Sequence, residues 1–236
     1  MTELKARLVE RIIRTPTVES FRFALDEKLG FLPGQAAQVI FDELNRSDKD
    51  LNKYLSFSSS PDKNYIEFTK RLSQSIFSQK LKGLNISDQI LIKGPFGGCA
   101  FEEKYKKVTF LIGGIGITPV ISIIEYIVEN NLGTQVTLFY SNRTEEEIAF
   151  KQELDNWQAK NNNIKIYYTI TDCQPKDNTC SYGFINKEFI VNKTCDLSES
   201  VVFVFGPPKM VDVMLSLSLE MGCGKENIKT EKFVGY

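Results

Sequence analysis

From residue 4 to about 93 the chain alternates apolar and polar positions in short runs rich in β-branched and aromatic residues, at 5–13, 18–25, 37–41, 54–58, 65–70 and 89–93. A period of two places alternate side chains on one face, so each run predicts a half-buried strand. Turn chemistry separates the runs, as in Leu32-Pro33-Gly34-Gln35 and Ser60-Pro61-Asp62-Lys63. The spacing is that of an antiparallel β-barrel or sandwich, interrupted by one short helix over 76–81. Beyond Gly94-Pro95-Phe96-Gly97-Gly98 the rhythm changes. Strands at 108–112, 135–140, 164–171 and 201–205 alternate with helices at 119–129, 145–157 and 208–221. This βαβ rhythm predicts an α/β domain on a parallel sheet covered on both faces.

The charged stretch Glu102-Glu103-Lys104-Tyr105-Lys106-Lys107 reads as a solvated connector, so the predicted domains are 1–103 and 104–236. Two domains suit 236 residues. A net charge of -1 gives no footprint for phosphate backbones, which argues against a nucleic-acid partner. The opening MTELKARLVERII interrupts its apolar residues with charges at once, which is neither a signal peptide nor a membrane span; a cytoplasmic location is the expectation. Cys99, Cys173, Cys180, Cys195 and Cys223 form no CxxC pair, and their odd number argues against a complete disulfide framework. They read mostly as reduced thiols, and no residue set has metal-ligand spacing.

The chain has no histidine, which removes the usual general base, the Ser-His and Cys-His nucleophile systems and the commonest transition-metal ligand. A flavin or nicotinamide fills that gap, because such a cofactor carries its own reactive atoms and asks the protein for position and electrostatics.

The strongest local signal is Phe110-Leu111-Ile112-Gly113-Gly114-Ile115-Gly116-Ile117-Thr118-Pro119, a buried strand ending in a glycine turn that opens a helix. Gly113, Gly114 and Gly116 let the backbone turn tightly and approach a ligand, Thr118 can cap the helix, and Pro119 suits its first position. The helix start then offers N–H groups to a pyrophosphate. A glycine turn that merely joins strand to helix is the plain alternative. The spacing departs from GxGxxG, the commoner dinucleotide fingerprint.

With these residues in view, the chain resembles the ferredoxin-reductase superfamily, whose members pair an N-terminal FAD-binding barrel with a C-terminal NAD(P)-binding domain. The resemblance runs through FLPGQ at 31–35, LSFSSSP at 55–61, SIFSQKL at 75–81, GPFG at 94–97, GGIGITP at 113–119, YSNR at 140–143, FGPPKM at 205–210 and a terminal EKFVGY.

The resemblance implies FAD and NAD(P)H as cofactors, with reaction in the cleft between the domains. It carries the family's arginine-x-tyrosine-serine flavin motif onto Lys53-Tyr54-Leu55-Ser56, with Ser56 near the reactive edge of the flavin and Phe57, Ser58 and Phe68 beside it. Lys53 keeps the charge without the bidentate fork of arginine, and Leu55 packs without a hydroxyl. The diphosphate segment falls on Ser75 and Ser78, preceded by Lys70-Arg71, and Gly94 and Gly97 belong to the same site. On the nucleotide side it implies Gly113, Gly114, Gly116, Thr118, Ser141, Gly206, Pro207 and Met210, with Phe205 where the family carries a cysteine. Arg143 is placed to accept a 2′-phosphate, which leans to NADPH, or is a plain surface charge. Phe233 and the terminal Tyr236 are implied as aromatics over the flavin face, with a frayed terminus as the alternative.

The electron acceptor is left open between a ferredoxin-like protein, docking on Lys80, Lys82, Lys104, Lys106 and Lys107, and a small molecule. The rival readings are the electron-input subunit of a larger redox complex and a nucleotide-sensing module that has lost turnover.

Overall fold

The computed structural model describes residues 1–193 and 197–233. Its first half realises the period-two runs as β1 (Thr2–Thr15), β2 (Val18–Leu25), β3 (Ala36–Ile40), β4 (Asn52–Ser56), β5 (Ile66–Arg71) and β6 (Gln89–Phe96), with helix α1 (Ile76–Lys82) between the last two. They form one antiparallel sheet in the order β4-β3-β6-β1-β2-β5. An isolated antiparallel bridge from Phe57 to Phe68 brings the end of β4 back to β5, so the sheet curls toward closure. The inward positions supply an aromatic core, in which Phe31 stacks on Phe57 at 3.9 Å and Phe57 on Phe68 at 5.4 Å. Truncating one of these rings to alanine costs about 3–5 kcal/mol in comparable cores.

The second half alternates β7 (Lys107–Gly113), α2 (Thr118–Glu129), β8 (Gln135–Asn142), α3 (Lys151–Lys160), β9 (Ile164–Ile170), β10 (Cys180–Tyr182), α4 (Lys187–Lys193), β11 (Val201–Gly206), α5 (Pro208–Glu220) and β12 (Ile228–Lys232). The strands pair in parallel in the order β10-β9-β8-β7-β11-β12. The order reverses between β8-β7 and β7-β11, the switch point outside which such sheets bind ligands. Leu111, Phe139, Val202 and Val204 on one face pack with Ile190 of α4 and Val211 and Met214 of α5.

Contacts divide the described residues into two compact units, one of Met1–Phe101 with Thr118–Tyr126, the other of Glu102–Ile117 with 127–193 and 197–233. Most of α2 therefore groups with the first unit, which no single cut along the chain can express. Among the described residues no helix is long and apolar enough to cross a membrane.

Two elements differ from the sequence pattern. The helix expected over 145–157 is a 3-10 turn at Glu145–Glu147 followed by α3, because Phe150 takes a left-handed φ of 61°. Ile148, Ala149 and Phe150 are all buried, and three consecutive inward side chains cannot lie on one helical face. The glycine turn likewise does not open directly into α2, since a 3-10 turn at Gly114–Ile117 intervenes. Thr118 is thus the first residue of α2, and buried, rather than its cap.

Candidate functional site

In the second unit the carboxyl ends of β7 and β11 are locked together by absent side chains. A Cβ on Gly116 would stand 2.6 Å from the backbone oxygen of Phe205 and 2.9 Å from the nitrogen of Gly206. A Cβ on Gly206 would stand 3.1 Å from the Gly113 nitrogen, and its φ of 156° is itself one that glycine favours. Met210 and Pro207 occupy the space a Gly113 side chain would need. Gly114 differs: its φ is 52° and nothing lies within 4 Å of where a Cβ would be. The motifs GGIG and FGPPKM, far apart in sequence, therefore form one backbone surface, and Gly114 leaves open space on it. Backbone packed this closely, with free space beside it, fits a dinucleotide whose phosphates need main-chain N–H groups.

Around this turn, Ser141 lies in register with Gly113 on one side and Thr169 on the other. The Arg143 carbonyl accepts from the Thr171 and Asp172 N–H groups at 3.2 and 2.9 Å, which sets exposed Asp172 beside exposed Arg143. Asn142, 6% exposed, has neither side-chain polar atom partnered among the described residues. At the end of β12 the Phe233 N–H donates to the Gly206 carbonyl at 2.9 Å. Glu231, in register with Phe205, is half-buried, and burial pushes its carboxyl upward. Phe205 itself is fully buried and packs edge-on to Phe203, so only its backbone is available to a ligand. Tyr236 lies outside the described residues.

In the first unit two cations converge. Lys70 is 7% exposed, and burial first, then the charge of Lys53, pushes its ammonium down to about 8. Close by in sequence, Ser75 caps α1 by accepting from the Ser78 N–H at 3.3 Å, and its hydroxyl lies 3.1 Å from those of both Ser73 and Ser78. A buried lysine beside a like charge fits a diphosphate, whose negative charge would offset both, and so these residues suit FAD. Tyr54 is exposed, edge-on to Phe96 at 5.0 Å, and offers a ring face for stacking. Leu55 is half-buried against the barrel core, Ser56 is buried at the end of β4, and Gly97 turns with a φ of 98°. Gly94 abuts Ala37. Phe57 and Phe68 are fully enclosed in the aromatic core, and Ser58 bonds to Glu67 and Thr69.

The sequence motifs assign no role to Asp172, Glu231 or Glu67. Asp172 had a signal, since parallel register sets the end of β9 beside the end of β8; the carboxylates on β5 and β12 had none beyond strand alternation.

Residues 5–101 match the oxidoreductase FAD-binding domain family and residues 110–215 the oxidoreductase NAD-binding domain family. NADH-cytochrome b5 reductase 1 of Mortierella alpina is 31% identical over 228 residues, covering 94% of this chain and 76% of that protein. The Dictyostelium discoideum protein of the same name is 31% identical over 233 residues, covering 96% and 80%. The crystal structure of the cytochrome b5 reductase domain of Ulva prolifera nitrate reductase has the same fold, with a TM-score of 0.84, 21% identity and coverage of 98% and 97%.

Proposed function

Because this chain belongs to the ferredoxin reductase and cytochrome b5 reductase family of FAD- and NAD-binding oxidoreductases, we propose that it draws hydride from NADH and delivers electrons to a separate, cytochrome b5-like acceptor. It is an NAD(P)H-dependent flavoprotein reductase; the nucleotide preference and the acceptor are the proposal. Residues 1–103 hold FAD and 104–236 the nucleotide. FAD, when bound, accepts the hydride pair and releases its electrons onward. The chain's own part is positional. Lys53, Lys70 and the Ser75–Ser78 turn hold the diphosphate, Ser56 and Tyr54 orient the ring, and the Gly113–Gly116 and Gly206–Met210 segments fix the nicotinamide end. These 236 residues carry no histidine for a haem and no cysteine cluster for iron and sulfur, so the acceptor lies outside them.

The observation that carries the reading is the near full-length likeness to NADH-cytochrome b5 reductases, joined to two cofactor cradles that need no histidine. The purified protein should contain about one FAD per chain. Anaerobic NADH should bleach it, and a cytochrome b5 should reoxidise it faster than a ferredoxin does. Absence of flavin, with no uptake on reconstitution, would overturn the enzyme reading; flavin that NADH leaves oxidised would favour the sensing module.

Asp172 supports NADH in particular. Its N–H donates to the Arg143 carbonyl, and Glu145–Glu147 lie two residues beyond Arg143 with Lys176 paired to Glu146, so acidic groups outnumber cations around a 2′-phosphate here. An acid at this end of the sheet suits a ribose 2′-hydroxyl. Asp172→Ser should raise the ratio of kcat/KM for NADPH to that for NADH about tenfold, the size of one ordinary charge contact. An unchanged ratio would remove Asp172 from nucleotide selection.

A further inference from the structure

Strand β4 ends its ladder with β3 at Ser56, yet Ser56, Phe57, Ser58, Ser59 and Ser60 are all buried. What holds this run is a polar cluster on the outward positions of β2 and β5. The Ser58 N–H donates to the Glu67 carbonyl at 2.8 Å, and the Glu67 N–H donates to the Ser59 hydroxyl at 3.0 Å. The Ser58 hydroxyl donates to the Glu67 carboxylate at 3.1 Å and lies 2.7 Å from that of Thr69, which lies 2.6 Å from that of Ser20. The Glu67 carboxylate, 2% exposed, takes Arg22 at 2.8 Å and Arg14 at 3.3 Å. Arg14 also donates to Ser20 at 2.8 Å, which closes the circuit.

A buried carboxylate between two guanidiniums is not what stability alone selects. Apolar groups of the same volume serve equally well or better in comparable sites, whereas a charged cluster fixes one geometry. Here the geometry fixed is that of Ser58 and Ser59, two and three residues beyond Ser56. We infer that Glu67 is a positioning residue for FAD, acting through Ser58 and Thr69 to hold the Ser56–Ser60 run in the shape the flavin requires. The inference rests on the assignment of that run to FAD. Glu67 touches no substrate; without its cluster the run keeps its bonds to the residue 67 backbone but loses the side-chain bridge at Ser58 that fixes the flavin's preformed wall.

The test compares FAD dissociation constants and bound-flavin absorption spectra for four reconstituted proteins. Glu67→Gln keeps the shape and removes the charge, whereas Thr69→Val keeps shape and charge and removes only the hydroxyl bridge. Leu8→Ala, in the core of the same unit, serves as a control for lost stability alone. Both cluster variants should bind FAD about tenfold more weakly than the parent, the equivalent of one ordinary hydrogen bond, and shift its absorption bands. Leu8→Ala should lower Tm while leaving both readouts in place. If Glu67→Gln does not fold, Thr69→Val decides. Parent-like affinity and spectrum in the folded cluster variants overturn the inference, as does a Leu8→Ala protein that weakens FAD equally. A parent that takes up no FAD overturns the flavin assignment instead.

Discussion

Gly116→Ala should abolish most NADH-dependent turnover while leaving FAD on the protein. The added methyl has nowhere to go, because the atoms 2.6, 2.7 and 2.9 Å from it belong to the backbone of Phe205 and Gly206, not to a side chain that can swing aside. Either the 3-10 turn at Gly114–Ile117 or the end of β11 must move by several tenths of an ångström. Overpacking of this kind costs about 1–3 kcal/mol of stability, which a two-unit protein survives. Function is more sensitive, since displacing a positioned reactant by about 1 Å can cost about 100-fold. The expected result is a folded protein with bound flavin and kcat/KM for NADH down by about that factor. Gly114→Ala, where space is open but φ is 52°, should instead show backbone strain, with a smaller loss. A Gly116→Ala enzyme with parental kcat/KM would show that the contact of the two motifs does not shape the nucleotide site.

That contact also marks the limit of what the sequence could say. Strand, turn and helix around GGIGITP are legible locally, because an apolar β-branched run, three glycines and Thr-Pro each constrain the backbone on their own. Which glycine does what is not. Gly113 and Gly116 are required by a strand some ninety positions away, a relation visible only once the order reverses beside β7. The three-residue edge strand β10 and the left-handed Phe150 were hidden for the same reason: neither has a local period, and tertiary burial decides both. Phe57, Phe68 and Phe205 lie in motifs that touch cofactors in the resembled family, yet their side chains are spent in the two cores. Lys70 is the opposite case. Read alone it is a surface charge, but Phe68 and Lys70 share a strand face, so a buried Phe68 implies an inward Lys70.

The second large effect concerns that lysine. Across from Lys70 on β2 stands Glu19, whose carboxylate is committed to Arg11 at 2.6 and 3.1 Å, and the charge acting on Lys70 from β4 is that of Lys53. Burial first, and Lys53 second, push the ammonium down to about 8 from an ordinary 10.5, worth roughly 3 kcal/mol against the charged form. Below pH 8 both folded and unfolded chains are protonated and that cost is fully present. Between about 8 and 10.5 the unfolded chain holds the proton that the folded one has released, so the stability of the flavin-free protein should rise with pH across this window. FAD affinity should run the other way, because its diphosphate favours the charged lysine and loses that partner as pH climbs. Lys70→Met removes both slopes at once. At pH 7 it should raise Tm of the flavin-free protein and weaken FAD by about ten- to a hundredfold, the loss of one charge-assisted contact. Thermal melts of flavin-free protein and FAD titrations from pH 7 to about 10 check both signs. If Tm and affinity move together with pH, or the parent and Lys70→Met curves run parallel, Lys70 is not the buried cation of the diphosphate site.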